Sequence, residues 1–286
     1  MPGIEGTMQK LIVSNDDPVS YALALGKQSN AQLPLNPILG SALEIRFLGS
    51  ISCQFCESPT LKSYGDGYCY SCFSRLARCD LCVLSPDRCH YHKGTCREPQ
   101  WGDAFCMQPH IVYLANSSGP KVGITRAGYE VGRWLDQGAR QALPIMAAAT
   151  RRDAGIVEVA LAEHLPDRTD WRRLVSREAT QVDLIELREE LKTKMPVVPA
   201  GVTWIDERPL TFNYPVIQYG HRLKRLRLDE EPVISGNLIG IKGQFLLFEH
   251  GVFNVRQHTS YHVRVTASGE RAASSVGGSD QMELFS

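Results

Sequence analysis

The chain has 286 residues, 43% hydrophobic and 22% charged, enough for a buried core and for two or three compact units. Lys+Arg and Asp+Glu both number 31 and the pI is near 7.1, so a global basic field is excluded and any nucleic-acid contact has to come from local patches. No apolar run approaches about eighteen residues, and the opening MPGIEGTMQKLIVSNDD lacks the layout of a secretory signal, which predicts a cytoplasmic protein.

Residues 1–51 alternate apolar and polar positions in QKLIVSN, VSYALAL and SALEIRFLGSI, with Gly, Pro and Asn between them, which predicts antiparallel strands. Residues 196–266 carry the same signal in GVTWID, YPVIQYG, KGQFLLFEHGVFNVRQ and SYHVRVTA. ILGSALEIRFLGSI and LIGIKGQFLLFEHGVF both place an apolar-Gly pair before a strand, so the two chain ends are expected to build one discontinuous antiparallel β unit. The fold class expected is α+β.

All nine cysteines fall in residues 52–106, a bias that core filling does not produce and that argues for metal in a reducing compartment. Cys53-x2-Cys56 and Cys69-x2-Cys72 form two knuckles, and two knuckles are what a tetrahedral thiolate site requires: each turn presents two sulfurs, and the loop lets the corners meet about zinc. Cys79-x2-Cys82 starts a second set, whose partners come from Cys89, His90, His92, Cys96, Cys106 and His110. The preferred second set is Cys79, Cys82, Cys89 and Cys96, with Cys106 close behind. Both zinc sites are expected to be structural, since neither has an open, carboxylate-rich shell.

Residues 107–195 open with HIVYLANSSGPKVGITRAGYEVGRWLDQGA, in which IVYLA and KVGIT flank the turn-rich NSSGP. This predicts a β-hairpin followed by a helix carrying Arg133 and Trp134, with helical patterns in RDAGIVEVALAEHL, TDWRRLVSRE and QVDLIELREELKTK. Arg126, Arg133, Arg140, Arg151 and Arg152 cluster in this stretch and suit phosphate contact.

The hairpin and helix resemble the GIY-YIG nuclease superfamily, with Ile111, Val112 and Tyr113 as the first motif and Lys121, Val122 and Gly123 as the second. A lysine in place of the second tyrosine is similar to a phage-associated branch of that superfamily. The resemblance implies that Tyr113 orients or activates a water nucleophile, Lys121 contacts phosphate or assists proton transfer, Arg133 stabilises the pentavalent charge and Glu158 binds Mg2+ or Mn2+, with Glu163 as the spare. The family's late Asn has only Thr169 and Asp170 as candidates. The run from CESPTLKSYGDGYCYSC through GTCREPQWGDAFC to VGITR, RWLDQGA and DRTDWRRL is also similar to a microbial family classed as a domain of unknown function.

Residues 267–286 begin with the small, polar ASGERAASSVGGSD, a composition that predicts a flexible tether of about 20 Å root-mean-square reach. Gln281, Met282, Glu283, Leu284 and Phe285 resemble the pentapeptide by which bacterial replication and repair proteins bind the DNA sliding clamp. In such a short linear motif, Gln281 would hydrogen-bond at the groove edge while Met282, Leu284 and Phe285 enter apolar pockets. The expectation is a zinc-containing, clamp-tethered DNA-processing protein, associated with the nucleoid through the clamp, with a divalent-metal phosphodiesterase as its activity. The alternatives are a non-enzymatic DNA-binding adaptor and an RNA- or ribosome-associated zinc protein.

Overall fold

The structure is a computed structural model that describes residues 3–26, 31–165, 168–220 and 224–268. Gln281, Met282, Leu284 and Phe285 therefore lie outside the described residues.

The N-terminal region supplies β1 (Ile4–Thr7), β2 (Ile12–Ser14), β3 (Ser20–Leu25), β4 (Ala31–Pro34) and β5 (Ala42–Ile51). The cysteine segment holds only short helices, α1 (Tyr70–Arg75), α2 (Leu81–Leu84) and α3 (Pro99–Phe105). The central region follows with β6 (His110–Asn116), β7 (Pro120–Arg126), α4 (Glu130–Asp136), β8 (Gln141–Ala148), α5 (Arg151–Ala162), α6 (Trp171–Ser176) and α7 (Leu184–Lys194). The C-terminal strands are β9 (Val202–Trp204), β10 (Leu210–Thr211), β11 (Arg225–Leu226), β12 (Val233–Lys242), β13 (Phe245–Phe248), β14 (Gly251–Asn254) and β15 (Tyr261–Ser268).

Both chain ends meet in a seven-stranded sheet of order β1-β15-β5-β12-β13-β14-β11. Its register follows period-two burial: Tyr261, Val263 and Val265 of β15 and Leu43 and Ile45 of β5 turn inward, since a one-residue slip would put every one of them in water. A three-stranded sheet, β2-β3-β4, adds Tyr21, Leu23 and Leu25 to the same core.

The central sheet has the order β10-β8-β6-β7, with β9 also paired to β8. Residues 202–211, expected to join the C-terminal β region, belong here instead: Val202–Trp204 pairs with Met146–Ala148, and Leu210–Thr211 with Gln141–Ala142. These strands are two and three residues long, too short to carry a register signal of their own, and the free side of β8 decides where they go.

Strand β6 reads as a nearly continuous apolar run because both faces are covered. Val112 and Leu114 pack with Ala154, Val157 and Leu161 of α5, whereas Tyr113 and Ala115 pack with Trp134 and Leu135 of α4 and with the large core. Thr150 caps α5, its hydroxyl accepting the Asp153 amide at 3.2 Å, a contact worth about 1 kcal/mol. The central region is tied to the seven-stranded sheet at the β12–β13 turn, where Gln244 Nε2 donates to Asp136 at 2.9 Å and Gln244 Oε1 accepts the Leu11 amide at 2.8 Å. Among the described residues no helix is long and apolar enough to cross a membrane.

Candidate functional site

The first cysteine group begins where β5 ends. Cys53 and Cys56 sit on a turn, and Cys69 caps α1 by accepting the Cys72 amide at 3.5 Å, which places Cys72 one turn into the helix beside it. The four sulfurs lie within 4.8 Å of one another, with Cys56 and Cys69 3.7 Å apart. Thiolates about 2.3 Å from a tetrahedral zinc are roughly 3.8 Å from each other, so this donor set fits a zinc ion.

The surroundings divide the four thiols. Hydrogen bonds from the Ser58 hydroxyl and amide bring the Cys56 thiol down to about 6. Burial pushes the Cys72 thiol up to about 12. For Cys53, burial acts upward, but the amides around it, those of Cys56, Cys69 and Phe55, outweigh burial and leave it lowered. The loop closing the group is tied to the sheet by Arg256 on Asp66 at 2.9 Å and by the Thr259 hydroxyl on the Asp66 carbonyl at 2.7 Å.

The remaining cysteines separate. Cys79 packs against Cys53, Cys72 and Leu76, on the side of the first group. Cys82, Cys89 and Cys96 line one small cavity, and the fourth cysteine there is Cys106. Asp80, Cys82 and His90 also bring ligand atoms within 4.8 Å of one another.

In the central hairpin, Tyr113 pairs with Gly123 and Ala115 with Lys121, which puts Tyr113 and Lys121 on one face. The Tyr113 side chain crosses its neighbour: a Cβ on Gly123 would sit 2.7 Å from the phenol, so this residue has to be glycine for the ring to lie where it does. The Tyr113 hydroxyl donates to Gln137 Oε1 at 3.1 Å, and the ring meets Trp134 edge-on at 5.8 Å. Tyr113 is 0% exposed and Lys121 5%.

Burial raises the pKa of the Tyr113 phenol, Arg133 and Gln137 pull the other way, and the Glu158 carboxylate adds to the rise. Tyr113, Arg133 and Glu158 are therefore within electrostatic reach of each other, although Tyr113 lies on the α4 face of the sheet and Glu158 comes from the helix on the other face. Arg151 joins them: its guanidinium interacts with Arg133, Glu158, Cys106 and Cys82. Glu163 stands exposed at the C-cap of α5. Asp170 caps α6, accepting the amides of Arg172 at 2.9 Å and Arg173 at 3.5 Å.

Sequence reasoning did not find a ribbon of arginines and aromatic rings that joins the cysteine segment to the hairpin. Arg75 and Arg78 lie 5.6 Å over Phe55, and Arg78 also lies 5.9 Å from Trp101. Trp101 stacks on Phe105 at 4.9 Å, and Arg126 sits between Phe105 at 4.8 Å and Tyr129 at 4.0 Å. Phe55, Phe105 and Tyr129 are exposed, and the Tyr129 carbonyl accepts the amide of Arg133 one helical turn on.

Residues 40–263 match the sequence profile of the family described as "Protein of unknown function (DUF2797)". The chain belongs to this family. The DUF2797 match spans every cysteine, the hairpin, α4 to α7 and most of the seven-stranded sheet, so the cysteine groups and the ribbon all lie within it. It leaves out β1 to β4 and the pentapeptide at 281–285. No curated protein and no solved structure matches this DUF2797 chain.

Proposed function

We propose that this DUF2797 member is a zinc-containing DNA-processing protein, a divalent-metal phosphodiesterase of the GIY-YIG-like kind, held on DNA by docking of Gln281, Met282, Leu284 and Phe285 to the sliding clamp. The observation that carries this reading is the ribbon Arg75-Phe55-Arg78-Trp101-Phe105-Arg126-Tyr129 and its position one turn from Arg133. Flat rings interleaved with guanidinium groups accept unpaired bases by stacking and phosphates by charge, and they need no net positive charge on the chain. In this reading the first cysteine group holds a structural zinc that fixes Phe55 and Arg75, which flank its ligands in the sequence.

Arg133 would meet the negative charge that builds on the phosphate, and Lys121, two residues from the glycine under Tyr113, would add a second cation. Glu158 would hold Mg2+ or Mn2+ as a single carboxylate, a donor set that suits Mg2+ because this ion keeps waters and takes substrate oxygens for its other positions. The ion, when bound, supplies positive charge beside the scissile phosphate. Clamp docking would raise the local concentration of the protein at DNA.

A second reading, a DNA-binding adaptor without catalysis, is favoured by one observation: the Tyr113 hydroxyl is fully buried and already bonded to Gln137. A group that activates water needs a path to that water.

The test is to incubate the full-length protein with labelled single-stranded, nicked and branched DNA in Mg2+, with chelator as control. The catalytic reading expects metal-dependent cleavage that is lost in Tyr113→Phe and Arg133→Ala, with DNA binding kept within a few-fold. Tight binding without cleavage of any substrate leaves the adaptor. Absence of both binding and cleavage removes the nucleic-acid reading altogether.

A further inference from the structure

The cavity shared by Cys82, Cys89, Cys96 and Cys106 has a volume of about 10 Å3, close to one water-sized sphere. Four cysteines from separate turns of the segment converge on this one small space, an arrangement that apolar packing does not call for, because a gap forfeits dispersion contacts. It does match the needs of one soft, tetrahedral cation. We infer that Cys82, Cys89, Cys96 and Cys106 form a second tetrathiolate zinc site, that Cys79 is not one of its ligands, and that this ion anchors the start of α5.

Three observations select these ligands. Cys79 faces the other way, packed on Cys53, Cys72 and Leu76. Two members of the competing set of Asp80, Cys82 and His90 have partners outside it: Asp80 accepts Arg97 Nε at 2.7 Å, and His90 Nδ1 pairs with the Thr95 hydroxyl at 2.8 Å. Asp80 and His90 thus line the same cavity with their polar atoms already paired, Asp80 to the Arg97 guanidinium and His90 to Thr95. Third, Cys82 lies within electrostatic reach of Cys89, Cys96 and Cys106 alike.

The counter-charge is present as well. Zinc with four thiolates carries a net charge of about −2, and the cation beside it is Arg151, which interacts with both Cys82 and Cys106. Arg151 is also bound to the site's backbone: its amide donates to the Cys106 carbonyl at 2.8 Å and its Nη2 to the Val83 carbonyl at 2.7 Å. One turn further on, Gly155 lets the chain before Cys89 touch α5; a Cβ there would come within 2.5 Å of Pro86. The first two turns of the helix that carries Glu158 therefore rest on the proposed ion. The ligand assignment does not depend on the activity proposed above.

The experiment is metal analysis of the purified, desalted full-length protein by plasma mass spectrometry, for wild type, Cys106→Ser and Cys79→Ser. The inference expects two zinc ions per chain in the wild type, one in Cys106→Ser and two in Cys79→Ser. Two zinc ions retained in Cys106→Ser, or one lost in Cys79→Ser, overturns the ligand set. A wild type with one ion, or with the visible absorbance of an iron–sulfur cluster, overturns the site. Should Cys106→Ser not fold, the cobalt-substituted wild type decides: two tetrathiolate sites give twice the thiolate-to-cobalt charge-transfer intensity of one, and a markedly smaller ratio rejects four sulfur ligands at the second.

Discussion

The cysteine segment and the seven-stranded sheet are held together by opposite means. In the sheet, Leu246, Leu247, Phe248 and Phe253 are all within 1% of complete burial, and the strands close over them. In the cluster around the first cysteine group the fully buried side chains are Cys53, Cys72 and Leu76, and two of these three are the proposed ligands themselves. A segment with so little apolar surface to bury has to draw its order from another source, and the proposed metal–thiolate bonds would supply it. The difference teaches that one chain can join a sheet ordered by its apolar core to a segment that has almost no core of its own.

The largest effect expected follows from removing the metal. Apparent zinc-binding free energies in small thiolate sites are about 10–16 kcal/mol, enough to decide whether such a segment folds at all. Chelator, or Cys72→Ser, is expected to open residues 52–106 to protease while the sheet resists, read by mass spectrometry of the fragments. Protection of the segment after complete metal loss would break the comparison.

The converse substitution lies in the sheet. Leu246→Ala leaves a cavity at a fully buried site and is expected to cost about 2–5 kcal/mol in denaturant unfolding, with zinc content unchanged. Loss of zinc in this variant would mean that the two regions are not independent.

Lys242 sharpens the comparison at the boundary of the sheet. It is 0% exposed, its ammonium 3.4 Å from the Tyr219 hydroxyl and over the rings of Tyr214 and Tyr219 at 5.6 and 5.3 Å, and burial pushes its pKa down to about 8. Between pH 8 and the ordinary lysine value near 10.4, the unfolded chain holds this proton and the folded chain does not, so folding stability rises with pH in that window. Relative to Lys242→Met, the wild type should gain about 2–3 kcal/mol between pH 7 and pH 10, measured by paired denaturant titrations. A pH-independent difference would show that the ammonium is solvated.

The smallest effect is at the sheet's rim. Arg264 reaches Glu5 at 2.8 Å with about half of its side chain in water, and Arg264→Ala should cost no more than about 1 kcal/mol, less in high salt.

What the sequence shows and what it hides follow from range. The proximity of Cys53, Cys56, Cys69 and Cys72 is legible because each knuckle is local and only one loop has to close. The mixed α+β class and the hairpin at NSSGP are legible for the same reason. The side on which Cys79 lies is not, because a single turn between Leu76 and Asp80 decides which way its sulfur faces. Nor are β9 and β10, whose few residues acquire a partner only once β8 presents a free side. The KVG motif names Gly123 but not its reason, which appears only when the strand register lays Tyr113 across it. The ribbon is hidden because Phe55, Arg78, the pair Trp101 and Phe105, and the pair Arg126 and Tyr129 are far from one another in the chain and ordinary one by one.

The central claim is that this surface receives nucleic acid. The most direct measurement is fluorescence anisotropy of a labelled single-stranded DNA oligonucleotide against the full-length protein, for wild type and for the double variant Arg126→Ala, Tyr129→Ala. At about 1–3 kcal/mol for each stacked base, the account predicts saturable, salt-sensitive binding that weakens roughly tenfold or more in the variant. Equal affinity for wild type and variant, or no saturable binding by the wild type at low salt, would contradict it.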